Sequence, residues 1–393
     1  MFLDITLKKN PRLIELAFEL HKCGKIMPDT FLLDLDALLY NAEYMKKEAD
    51  RRGVKLYYML KQLGRNPLVA KELEGIGYAG AVAVDYNEAG VIMKNNCKLG
   101  HVGHLVQIPK ALVYPIVKAK PEYITVYSVE KAGEINEAAK DLNVRQKVLL
   151  RAIERRDTLY PGQYGGFYLK DIMDACNEIK KMDGLEISGL CSFPCFLYDE
   201  KENSIAVQPN AATLLKAKEI IQANTDIKID VMNMPSLTCY DTIELICKCG
   251  GNQGEPGHGL TGTTPYHAHN ADAGEIPAVV YVSEISHNFD NKSYCYGGGN
   301  YKRSRLKDAL TGTSLDKSKK MDVEQLASDS IDYHITLKGR ASVSDAVVMA
   351  FRFQLFVTRS SIAVVKGLQT GKVEIMGTFN PQGEKIQGWS GCL

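Results

Sequence analysis

No stretch of the sequence is apolar for long enough to cross a bilayer, and its opening residues, MFLDITLKKNPRL, lack the apolar core of a secretory signal. Neither sign of charge is in excess: 48 Lys and Arg stand against 47 Asp and Glu, a formal +1, with no polybasic run. That balance argues against nucleic acid or an anionic membrane as a partner. The ten cysteines are scattered without the compact spacing of a disulfide framework, so reduced thiols in a cytoplasmic protein are the expectation. Low-complexity tracts and short-period repeats are missing too. What is there, 45% hydrophobic and 24% charged residues over 393 positions, is globular in composition and long enough for two domains.

From residue 31 onward, strand-like and helix-like patterns alternate. The strand-like runs are FLLDL (31–35), VKLYYML (54–60), AGAVAVD (79–85), HVGHLVQI (101–108), EYITVYS (122–128), QKVLLRAI (146–153), LEISGLCSF (185–193) and IKIDVMNM (227–234). A helical pattern follows each; after the first, Leu38, Leu39, Ala42, Met45 and Ala49 make one apolar stripe. Eight strand–helix units in about 220 residues fit a (β/α)8 TIM barrel, and mostly continuous apolar runs suit buried parallel strands. No Gly-rich dinucleotide fingerprint follows the first strand, which argues against an open doubly wound sheet.

After about residue 255 the apolar stretches lose their helical partners. They are AVVYVSEIS (278–286), IDYHITLKG (331–339) and FRFQLFVTRSSIAVVKG (351–367), with a polar segment at 302–330 that reads as a long surface excursion. The expected organisation is a lead-in over 1–29, an α/β barrel over 30–265 and a C-terminal all-β domain over 266–393.

Chemistry is expected at the C-terminal ends of the barrel strands. The second strand runs into Lys61. Desolvation there lowers a lysine's pKa and makes the amine a nucleophile toward carbonyls, suited to a Schiff base with an aldehyde cofactor. The plain alternative is a lysine that snorkels into solvent. Arg65 lies four residues on, Cys191 and Ser192 end the seventh strand, and Asn233 and Ser236 end the eighth. The Gly/Thr loop EPGHGLTGTTP (255–265) has the composition of a phosphate cradle or of an ordinary turn. For metals, His101 and His104, His267 and His269, and Cys191 and Cys195 are the candidates. Residues three apart on a strand point to opposite faces and no third ligand is evident, so no metal is expected.

The motifs KQLGRNP, GHLVQIP, YPGQ, EPGH-LTGT, SYCYGGG-Y and FVTRS, together with Asp34, Asp36 and Asn41 ahead of the lysine, carry a resemblance over nearly the whole chain. The sequence resembles the fold-type III pyridoxal-phosphate enzymes, the alanine racemase and ornithine decarboxylase group, and within it the YhfX-type branch. The resemblance implies that Lys61 holds pyridoxal 5′-phosphate by a Schiff base and moves a proton at the substrate's α-carbon. It assigns the phosphate to Ser236 and the backbone of Gly262 and Thr263. Glu255 stands where the racemases carry arginine and the decarboxylases glutamate. A carboxylate there keeps the pyridine nitrogen protonated and favours a stabilised carbanion. Arg151 takes the place of a cofactor-contacting lysine, with a core ion pair as the alternative. Arg65 contacts the phosphate or a substrate carboxylate, or is a surface residue. Tyr164 and Gly162 lie in PGQYGGF, which lacks the arginine of the racemase motif.

The resemblance further implies a homodimer with shared active sites, in which the partner's β domain supplies a second acid/base. Tyr296 matches best, Cys295 is the decarboxylase-like rival, and Tyr294 stays open. The expected activity is amino-acid racemisation. The alternatives are decarboxylation, a pyridoxal-phosphate carrier without turnover, and a metal-dependent barrel hydrolase. The late His-x-Cys or His-x-Asp pair of the metal-using D-serine dehydratases and D-threonine aldolases is not found.

Overall fold

Short buried apolar runs, each followed by an amphipathic helix, assemble into a curled parallel sheet in the computed structural model, which describes residues 1–327 and 329–387. The order in space is Lys55–Leu56, Gln253–Gly254, Val231–Asn233, Leu185–Cys191, Gln146–Ile153, Tyr123–Val126, Leu99–Val102 and Ala81–Ala83. A parallel bridge between Tyr58 and Ala81 joins the two ends, so the eight strands close into a barrel. Tyr57, Met59, Val82, Val84, Tyr123, Leu149, Cys191 and Val231 fill its interior as one apolar cluster.

Two strands are not where the hydrophobic pattern put them. Residues 31–35 were the expected first barrel strand. Thr30–Asp34 instead pairs antiparallel with Val279–Phe289 and parallel with Ser361–Lys366, in the other sheet. A five-residue run buried on both faces suits either sheet equally, and only the hydrogen-bond partners distinguish them. The barrel therefore starts at Lys55–Leu56 and takes its last strand from Gln253–Gly254, two residues with no apolar signal.

The chain divides into two compact units. One comprises Glu43–Leu60 and Ala70–Gly257 and holds the barrel; the other comprises Met1–Ala42, Lys61–Val69 and His258–Leu393. Residue 328 and the last six residues of the expected 266–393 domain lie outside the described residues.

The second unit is built on a sheet of ten strands among the described residues. Residues 1–29 are not a mere lead-in to it. Helices Phe2–Lys9 and Pro11–Lys22 cover this sheet, with Leu13, Ile14, Ala17 and Phe18 packed in one core with Val280, Val282, Val348 and Ala363. Burying the Leu, Ile, Phe and Val side chains among these contributes roughly 1.5–3 kcal/mol each. Nor is 302–330 a free excursion: Asp308–Gly312 and Lys319–Asp322 form a hairpin that extends the sheet through Ala346–Met349. Its outer strand carries Lys319 and Lys320, charges that suit an edge but mask the strand pattern. No helix among the described residues is long and apolar enough to cross a membrane. The nine described cysteines are all free.

Candidate active site

Six adjacent strand ends bring polar side chains together at the C-terminal mouth of the barrel. Glu255, directly after the last strand, is buried. Its Oε1 accepts from His101 Nδ1 at 2.7 Å and from Asn233 Nδ2 at 2.9 Å. Its Oε2 lies 3.8 Å from His104 Nε2 and accepts no hydrogen bond from the described residues. Burial alone pushes this carboxyl's pKa up. The charges of His104 and His101 and the hydrogen bonds of His101 and Asn233 more than offset it and bring it down to about 2. Glu255 is therefore a carboxylate with Oε1 hydrogen-bonded and with Oε2 facing the His104 ring but accepting no hydrogen bond from the described residues.

His101 and His104 were expected on opposite faces, with no third ligand in sight. Both imidazoles in fact face Glu255, and their ring centroids are 5.3 Å apart. The strand ends at Val102, and Gly103, at φ +81°, turns the chain so that position 104 comes back over the barrel mouth. A Cβ on Gly103 would stand 2.6 Å from the Thr125 carbonyl, so the turn requires glycine. The three side chains lie within metal-ligating reach of one another, a convergence that strand periodicity alone did not reveal.

The next strands add Thr125, Arg151, Cys191 and Asn233. Arg151 is fully buried. It stacks on the Tyr127 ring at 4.8 Å, donates to the Tyr127 hydroxyl, and donates to the Gln163 carbonyl at 3.0 Å. These partners are neutral, which removes the core ion pair weighed as its alternative role. Cys191 Sγ lies 3.1 Å from His104 Nδ1 and 3.2 Å from Asn233 Oδ1. Burial first, then the charge of Glu255, pushes this thiol well above its usual range. In the same unit Ser236 donates to the Phe196 carbonyl at 2.6 Å, and Leu237 after it is held at φ +50°. That backbone is costly for a leucine and marks a constrained turn.

Lys61 belongs to the second unit. It is half-buried and opens the 3-10 turn Lys61–Leu63, two residues after Met59, whose amide donates to the Pro256 carbonyl at 3.0 Å, rather than ending a strand. His258 lies near it: burial first, then the charges of Arg352 and Lys61, holds this imidazole well below its usual pKa and so neutral. Arg65 is no surface arginine. It is buried, donates to Gln382 Oε1 at 2.6 Å and packs on Phe356.

The Gly/Thr loop is clamped from inside its own unit. Asn41 Nδ2 donates to the carbonyls of Leu260 and Ile276, and Asn41 Oδ1 accepts from the Ile276 amide. The Gly262 and Thr263 amides, assigned above to a phosphate, instead donate to the carbonyls of Gly259 and His258. An αL turn at Gly262 closes those bonds. The Thr261 and Thr263 hydroxyls pair at 2.7 Å.

On strand Lys292–Tyr296 the side chains alternate. Cys295 faces inward, with no exposed surface and its thiol on the Ile335 carbonyl, and burial pushes its pKa to about 12. Tyr296 is 41% exposed, and its own carbonyl is anchored by Ser283 Oγ at 2.6 Å. Tyr294 is partly buried and stacks on His287 at 4.8 Å. The following Gly298 and Asn300 amides both donate to Asp332, which also receives Arg359 at 3.0 Å. Two of the sequence motifs, SYCYGGG-Y and FVTRS, thus meet at one carboxylate.

A parallel eight-stranded barrel that runs into a lysine after its first strand and into a buried glutamate after its last, in a chain with a mostly-sheet unit, defines the alanine racemase-like class of fold-type III proteins. The chain belongs to that family: residues 33–265 match the alanine racemase N-terminal domain and residues 280–375 the YhfX-like C-terminal domain. It is 40% identical over 387 residues to YhfX of Escherichia coli (strain K12), a match spanning 98% of this chain and 100% of that protein. Among solved structures it is similar to a D-threonine aldolase from Filomicrobium marinum. That match has a TM-score of 0.64 at 15% identity and covers 94% and 97% of the two chains. It is also similar to an alanine racemase of Clostridium difficile 630, with a TM-score of 0.62 at 16% identity over 90% and 99%. A third is a diaminopimelate decarboxylase from M. jannaschii, with a TM-score of 0.64 at 14% identity over 93% and 93%. Proteins of this family bind pyridoxal 5′-phosphate. The buried Oε2 of Glu255, which accepts no hydrogen bond from the described residues, fits that cofactor as an acceptor for a protonated ring nitrogen.

Proposed function

We propose that this protein is a pyridoxal-phosphate-dependent amino-acid racemase that moves a proton at the α-carbon, working as a cytoplasmic homodimer. When bound, the cofactor supplies an electron-withdrawing ring that acidifies the α-hydrogen of an attached amino acid. Glu255 carries the cofactor part of the reading: a buried carboxylate with one oxygen that accepts no hydrogen bond from the described residues is a matched acceptor for a ring N–H and keeps that ring cationic. Lys61 attaches the cofactor through its amine and moves a proton on one face. Ser236 takes the phosphate, and Arg151 orients polar groups at the barrel mouth.

Racemisation needs a second acid/base on the opposite face. Tyr296 is our choice, acting from a second copy of the chain, because it projects from its strand while Cys295 is buried in its own unit. The outward Tyr296 favours racemisation; a charged partner for the ring nitrogen also suits decarboxylation, which is the second reading. Amino acids screened in heavy water separate the two. Deuterium entering at the α-carbon with inversion and without carbon dioxide supports racemisation, and carbon dioxide release overturns it in favour of decarboxylation.

A further inference from the structure

A carboxylate has two equivalent oxygens and a soft terminal torsion, so an acceptor that must present one chosen oxygen needs something to hold the other. Two arms do this for Glu255. The first is His101, whose Nδ1 lies 2.7 Å from Oε1 and whose Nε2 lies 2.6 Å from Thr125 Oγ1. Thr125 is buried, and its carbonyl accepts from Gln107 Nε2 at 2.9 Å, the same amide that closes the Gly103 turn. The second arm is Asn233. Its amide oxygen accepts from Cys191, while its nitrogen donates to Glu255 Oε1 and to Gln253 Oε1. Each arm is itself held at its far end, which fixes the His101 ring and the Asn233 amide in one orientation.

We propose that His101, backed by Thr125, is a positioning residue that locks the rotation of Glu255 and leaves Oε2 as the acceptor for the cofactor's ring nitrogen. This rests on the cofactor reading above. His101 does not touch the reacting atoms; it acts through Glu255. A buried His–Glu pair that served only the fold would change melting temperature alone, whereas a positioning pair must also change how the cofactor is held.

The test uses full-length protein freed of cofactor and titrated with pyridoxal 5′-phosphate at one neutral pH. Affinity, the position of the bound cofactor's visible band, and the melting temperature of the cofactor-free protein are read together. His101→Leu removes the lock. It is expected to weaken cofactor binding roughly tenfold to a hundredfold, by leaving Oε1 short of a donor, and to move the band. His101→Gln keeps an N–H donor and should recover most of both effects. Thr125→Val leaves His101 in place and should produce a smaller change in the same direction; it decides the matter if His101→Leu does not fold. Unchanged affinity and band in a folded His101→Leu protein overturn the inference and leave the cofactor reading standing. One equivalent of zinc in the wild type that is lost in His101→Leu overturns it too, since His101, His104 and Glu255 are zinc-ligand types. A wild type that takes up no cofactor overturns both.

Discussion

Gly298 lies directly against Asp29: a Cβ built on the glycine would stand 2.0 Å from Asp29 Oδ2. The carboxylate cannot yield freely, because Oδ1 is held by the Ser360 hydroxyl and by the Tyr281 hydroxyl at 2.8 Å. The backbone at 298, with φ +142°, is also one that only glycine adopts easily. Gly298→Ala should therefore cost about 2 kcal/mol or more and lower the melting temperature by several degrees in a thermal melt. Because this loop follows Tyr296, α-proton exchange should fall as well.

Asp29 also sets a pH dependence. Burial first raises its pKa, against the opposing Ser360 and Tyr281 hydrogen bonds and the Arg359 charge, to about 6 from an ordinary 3.8. The folded chain thus holds this proton more tightly than the unfolded chain does. The associated stability is full below about pH 4 and is lost as the pH rises through about 6, a change on the order of 3 kcal/mol. Urea unfolding from pH 4 to 7 should show the decline, and Asp29→Asn should flatten it.

Lys61→Ala should abolish the visible band of the lysine-bound cofactor and leave a free-aldehyde spectrum, with catalysis down by several orders of magnitude. Absorbance of the purified proteins side by side checks this. A wild-type band that persists in the variant would assign the attachment to another amine.

Glu255→Gln keeps the volume and removes the charge. It should lower α-proton exchange at least tenfold to a hundredfold, because the ring nitrogen loses its anionic partner. The variant also leaves the imidazoles of His101 and His104 facing a neutral amide. The carboxylate's own contribution to stability is present above about pH 4.5 and lost as the pH falls toward 2, so acid unfolding of the variant should begin less steeply.

Tyr296→Phe should cut racemisation by two orders of magnitude or more while leaving the melting temperature within about a degree, since this side chain is exposed. Cys295→Ala should do the reverse, keeping exchange rates and costing about 1 kcal/mol of stability as a buried group is lost. Paired isotope-exchange assays and thermal melts on the two variants test this division of roles.

Much of the architecture was legible in the sequence because long apolar runs and helical stripes report burial directly. Eight strand–helix units were countable, and the lysine after VKLYYML and the glutamate of EPGH stood out by position. The count came out right while its members did not. FLLDL was counted in and Gln253–Gly254 left out. A hydrophobic run says that a strand is buried and nothing about which neighbour accepts its hydrogen bonds, and a two-residue strand of Gln and Gly carries no hydrophobic pattern at all.

By itself, then, the sequence determined the parallel barrel, the accompanying sheet-rich unit and the identity of the groups able to bear chemistry, since these depend on composition and on periods of 2 and 3.6 residues. Only the tertiary structure decided which groups meet. His101 and His104 converge on Glu255 because one glycine beyond the strand takes a positive φ. Tyr296 and Cys295 face opposite ways because they alternate on a paired strand with one covered face. The Gly262 and Thr263 amides are used up inside their own turn. In each case the deciding quantity is a direction in space, set by backbone dihedrals and long-range hydrogen bonds that no local pattern of residues encodes.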